Sequence, residues 1–89
     1  MVQKKQRAPE FKIGDVVCVV APTMGVNLKV NEEEMKAEVE EILLVGDEAM
    51  IVAEIEFVKR SNEYLYKVLT ENSLETREFS FAEEQLTTY

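Results

Sequence analysis

Residues 31–46, NEEEMKAEVEEILLVG, decide the fold, because they satisfy two incompatible readings. As a helix, Asn31 is an N-cap with Glu34 three residues on and acids filling the first turn. Met35, Val39, Ile42 and Leu43 then share a face, and Gly46 stops the segment. As a strand, Ala37 and Val39 alternate with charged residues. Ile42 and Leu44 resume the alternation one step out of phase, and the Glu40-Glu41 doublet then marks a bulge. Local signals favour the helix; the flanking chain favours the strand, since what surrounds the segment reads as β.

Upstream, FKIGDVVCVVAP (11–22) leads through a Gly14-Asp15 turn into Val16–Val20, five β-compatible residues expected to be buried on both faces. Pro22 ends that strand. TMGVNLKVN (23–31) has the Gly and Asn content of a long first loop, with a short extended piece at Val26–Val30. Downstream, AMIVAEIEFVK (49–59) places Ile51, Ala53, Ile55 and Phe57 on one face and Glu54 and Glu56 on the other, a period of two. RSNE (60–63) supplies a turn, and YLYKVL (64–69) returns as the second arm of a hairpin with Tyr64, Tyr66 and Val68 on one side. TENSLE (70–75) reads as a loop and TREFSF (76–81) as a last strand with Phe79 and Phe81 paired. AEEQL (82–86) reads as one helical turn.

Taken together, FKIGDVV, the long first loop, AEVEEI (37–42), YLYKVL and FSFAEEQL (79–86) resemble the Src-homology-3-like small barrels of the KOW, Tudor and phage-borne kinds. The likeness spans Phe11 to Leu86. It implies a mainly β domain: a small SH3-like barrel of about five antiparallel strands with a long first loop and a short terminal helical turn. The alternative is α+β, one helix at about 32–45 packed on an antiparallel sheet. Barrels of this shape in phages and mobile elements are commonly accessory or interaction proteins, so the resemblance implies that role. This chain departs from the nucleic-acid-binding members in lacking their basic loops.

The chain has 89 residues, enough for one core. Residues 1–9 read as a flexible basic tail and 10–89 as a single domain. The longest wholly apolar run, Val16–Pro22, is far below the roughly 20 residues of a membrane span, and no charged-then-apolar leader opens the sequence. A cytoplasmic, non-membrane protein is expected. The lone Cys18, inside an apolar run, is read as a small buried hydrophobe.

Chemistry is limited by an absence that can be counted: there is no histidine. This removes the commonest general base and metal ligand, together with every Ser-His or Cys-His pair. Three isolated glycines draw no phosphate-cradling loop, and Asp47-Glu48 with their neighbours lack calcium-loop spacing. No enzyme activity, cofactor or metal is expected. Net charge is -8, and between Val30 and Glu56 ten acidic residues face the single Lys36. Such a belt repels phosphates and suits a basic protein surface, so direct nucleic-acid binding is not expected.

The expected function is a non-enzymatic interaction module. Its contacts are Glu32, Glu33, Glu34, Glu38, Glu40 and Glu41 in the belt, Met24 in the first loop, and the Tyr64–Tyr66 face. A nucleic-acid-mimicking inhibitor of a host nuclease is the alternative. The chain itself is expected to be a monomer or a weak homo-oligomer.

Overall fold

The computed structural model describes residues 8–70 and 76–89, and the fold is mainly β. Among the described residues seven strands run in order: β1 (Val16–Val19), β2 (Thr23–Asn31), β3 (Lys36–Leu44), β4 (Met50–Val58), β5 (Glu63–Thr70), β6 (Glu78–Ala82) and β7 (Leu86–Thr88). One 3-10 turn, Glu83–Gln85, joins β6 to β7. The basic tail (1–7) and most of the expected 70–75 loop lie outside the described residues; Ala8 and Pro9 precede the first turn without regular structure.

Five strands form one antiparallel sheet in the order β6-β5-β4-β1-β7, while β2 and β3 form a two-stranded sheet of their own. This corrects two expectations. The strands do not close into a single barrel ladder, and the long first loop is a hairpin in which all nine residues of β2 pair with all nine of β3. The helix alternative at 32–45 is not realised. Asn31 does cap, but it caps a turn: its Oδ1 accepts the backbone N–H groups of Glu33 (3.1 Å) and Glu34 (3.3 Å). Met35 then takes φ 54° and sends the chain back. Side-chain capping of orphan N–H groups serves a helix start and a hairpin turn equally, so the local signal was real but not diagnostic.

No bulge falls at Glu40-Glu41, because the β2–β3 register is unbroken. The apparent phase change reflects which face is covered. Ile42 and Leu44 point to the body, whereas Ala37 and Val39 point away from it. The bulge lies instead in β4, where Val52 pairs Val68 and Glu54 pairs Lys67, leaving Ala53 as the extra residue. Period two therefore breaks there: Met50 and Val52 are buried before the bulge, and Ile55 and Phe57 pack on the core after it.

The core gathers Val17, Val19, Leu44, Met50, Val52, Tyr66, Val68, Phe79, Phe81 and Leu86. Val17–Val19 are buried as expected, Cys18 among them, but Val20 is exposed. Gly14 holds φ 93° in the expected Gly14-Asp15 turn, where Asp15 Oδ2 accepts the Lys12 N–H at 2.8 Å. A carboxylate anchoring a turn beside a left-handed glycine is what that residue pair provides. Strand β7 was not anticipated: Leu86-Thr-Thr has no period, and it is extended because it pairs with the free edge of β1.

Candidate functional site

The two strands of the β2–β3 hairpin, each about 30 Å long, form an arm with two unlike faces. Directly paired residues of an antiparallel ribbon share a face. The inner face carries the pairs Thr23–Leu44, Gly25–Ile42, Asn27–Glu40, Lys29–Glu38 and Asn31–Lys36. The outer face carries Met24–Leu43, Val26–Glu41, Leu28–Val39 and Val30–Ala37.

The inner face docks on the body through several described residues. Gly25 lies so near Phe79 that an added Cβ would sit 2.6 Å from ring carbon Cδ1. Leu44 is fully buried. The buried Asn27 uses its Oδ1 to accept the Glu78 N–H of β6 at 3.1 Å, which ties the arm to that strand through a side chain rather than a backbone ladder. Glu40 accepts from Arg77 Nε at 2.9 Å and lies 3.4 Å from Lys29 Nζ. The Arg77 guanidinium, followed by Lys29, holds the Glu40 carboxyl below its ordinary range.

Among the described residues nothing docks on the outer face in this way. Met24, Val26, Leu28, Val30, Val39 and Leu43 are each 53–65 % exposed, and Met35 at the tip is 88 % exposed. Six residues of that size at that exposure present on the order of 600 Å² of accessible surface along the ladder, comparable with the largest apolar patch on an ordinary monomer. Left uncovered, such a stripe costs solubility.

The structure sorts the expected contact residues into three places. Met24 and Glu41 stand on the outer face, and Glu32, Glu33 and Glu34 sit exposed in the turn at its tip. Glu38 and Glu40 project from the opposite face, so the acidic segment is not one belt: period two splits it, and Glu40 is held in ion pairs. Tyr64 and Tyr66 are in the core, 6 % and 0 % exposed, rather than on an open face. The missed residues are Val26, Leu28, Val30, Val39 and Leu43. Their signal was the period-two spacing of Met24, Val26, Leu28 and Val30, masked by the loop-forming Gly25, Asn27 and Asn31.

Tyr66 serves the core instead. Its hydroxyl donates to Glu83 Oε2 at 2.6 Å and accepts the Glu10 N–H at 3.1 Å; the Glu10 N–H also reaches Glu83 Oε2 at 3.1 Å. Phe11 stacks edge-on against its ring at 5.3 Å. Burial, reinforced by the Glu83 carboxylate, pushes the Tyr66 hydroxyl up to about 12. Beside this network lies a cleft of ≈ 270 Å³ lined by Glu10, Glu63, Tyr64, Ala82, Glu83 and Glu84. Glu83 is engaged by Tyr66 there, and among the described residues no group of three or more His, Cys, Asp or Glu is arranged to hold a metal ion.

On the outer face of the five-stranded sheet, Lys67 bridges Glu78 (3.0 Å) and Glu54 (3.1 Å), and these carboxylates raise its pKa. No described helix is long and apolar enough to cross a membrane. No protein-family model, no curated protein and no solved structure matches the chain, so its reading rests on the geometry above.

Proposed function

We propose that the protein is a non-enzymatic interaction module that grips a basic partner protein with the outer face of its β2–β3 arm. One observation carries this reading: the exposed ladder of Met24, Val26, Leu28, Val30, Val39 and Leu43, with Glu41 within it and Glu32–Glu34 at its end. An apolar centre with a charged rim is the usual anatomy of a protein contact, and the acidic rim selects for basic partners. The architecture supports an SH3-like scaffold. A long hairpin follows the first strand, a three-strand meander follows the hairpin, and a 3-10 turn precedes a last strand that pairs with the first. The nucleic-acid-mimic alternative has less support, because a mimic needs an array of free carboxylates on one surface. Here Glu38 and Glu40 face away from Glu41, and Glu40 is paired with Arg77.

The test places a photo-crosslinking amino acid at Val26 or, as control, at Glu56 on the far sheet, in cells that naturally express the chain. Adducts with a basic protein are expected from the Val26 site only. Equal yields from both sites, or none from Val26, would refute the arm as the contact surface.

A further inference from the structure

The arm's outer face contains one carboxyl side chain with no cation beside it among the described residues. Glu41 stands directly across from Val26, between the all-apolar rungs Met24–Leu43 and Leu28–Val39. The cations of the arm are elsewhere: Lys29 and Lys36 occupy inner-face positions, and Lys29 lies against Glu40. Any surface that covers the ladder must therefore strip water from a carboxylate that none of the described residues neutralises. Burying an unpaired carboxylate costs several kcal/mol, enough to cancel much of what the apolar contact contributes.

We infer that the occupant of this face is an apolar segment of a partner protein carrying one central lysine or arginine, which pairs with Glu41 while apolar side chains on either side cover the neighbouring rungs. This rests on the arm being the contact surface and adds what the partner must bring. The rungs repeat every second residue, about 7 Å apart, so the partner's cation should have apolar neighbours at about that distance on both sides. The arm of a second copy does not meet the requirement. Two ladders face to face would bury two Glu41 carboxylates and supply no cation, since each copy's Lys29 and Lys36 project from the reverse side. Nucleic acid would add negative charge to an already acidic face.

The test selects displayed random 12-residue peptides on the full-length chain. Their binding is then measured to the wild type, to the double variant Leu28→Asp/Val39→Asp, and to Glu41→Gln and Glu41→Lys. Thermal unfolding confirms that each variant folds; the altered side chains are exposed, so folding is expected to persist. The expected peptides carry a Lys or Arg between apolar residues and lose binding to the double variant. They should bind Glu41→Lys roughly 30-fold or more weakly, the loss typical of breaking a desolvated charge pair. Glu41→Gln should fall between the wild type and Glu41→Lys.

Peptides that need the ladder but bind Glu41→Lys as well as the wild type overturn the cation requirement and leave the arm reading standing. A selection yielding no ladder-dependent binder sinks the arm reading and this inference with it. Light scattering that finds a concentration-dependent dimer, lost in Leu28→Asp/Val39→Asp, assigns the face to a second copy and overturns the inference.

Discussion

Replacing Gly25 by alanine should loosen the arm from the body, and the structure sets the scale of the effect. The new Cβ would lie 2.6 and 2.8 Å from two ring carbons of Phe79 and 3.0 Å from Leu44 Cδ1. Ordinary carbon contacts begin near 3.5 Å, so relief needs a shift approaching 1 Å. Phe79 cannot supply it cheaply: it is 1 % exposed, and the Phe81 ring lies 6.2 Å away. The base of β2 must lift instead. Overpacking of this kind costs roughly 1–3 kcal/mol, partly offset by the roughly 0.4–1 kcal/mol gained when alanine restricts the unfolded chain. A net loss of about 1–2 kcal/mol is expected, or a melting temperature lower by roughly 5–15 °C for a domain of this size. Urea unfolding measures the loss, and the double variant Gly25→Ala/Phe79→Leu isolates its cause. If the clash is responsible, the second change should cost less in the Gly25→Ala background than in the wild type. A Gly25→Ala protein as stable as the wild type, or strictly additive variants, would refute the docking of β2 on Phe79.

Two further outcomes follow from the titrating groups. Tyr66→Phe removes the hydroxyl that donates to Glu83 and should cost about 1–3 kcal/mol at roughly pH 9. Because burial raises the Tyr66 pKa from 10.0 to about 12, the unfolded chain loses its proton first as pH climbs. The wild type then forfeits roughly 2–3 kcal/mol that the variant never had. The gap between the two should therefore shrink by roughly pH 11.5, and a constant or widening gap by urea midpoint contradicts the buried hydroxyl. Glu40 shows the opposite sign: its folded pKa is lowered, chiefly by Arg77, so its contribution is present above the ordinary 4.5 and fades as pH falls below it. Glu40→Gln should flatten the loss of stability between roughly pH 5 and pH 3 relative to the wild type, and an unchanged acid limb removes the Glu40–Arg77 link from the arm's anchorage.

Much of the body was legible in the chain. The Gly14-Asp15 turn, the turn expected at 60–63 and found at 59–62 between β4 and β5, the buried Phe79–Phe81 pair and the turn after β6 follow from local chemistry. The exposed apolar ladder was legible only in part. Met24 and the acidic run stand out in the sequence, whereas Val26–Val30 reads only as a short extended piece in a long loop and not as half of a nine-residue hairpin strand. Their alternation carries no sign of which face will be covered. Tyr64 and Tyr66 show the converse, since a tyrosine stripe can face a partner or a core, and here the Glu83 carboxylate receives the Tyr66 hydroxyl inside.

The acidic stretch 31–46 divides the two kinds of information. Sequence alone determined that Asn31 would cap the N–H groups that follow it and that apolar and charged residues would alternate beyond it, because both depend on neighbours within a few positions. Only the tertiary structure decided that the segment is a strand and that its faces have different fates. Pairing with β2 supplied the backbone partners a helix would have supplied internally, and Phe79, Arg77 and Glu78 on the body covered the inner face alone. The outer ladder stayed open around Glu41 because nothing among the described residues packs across it.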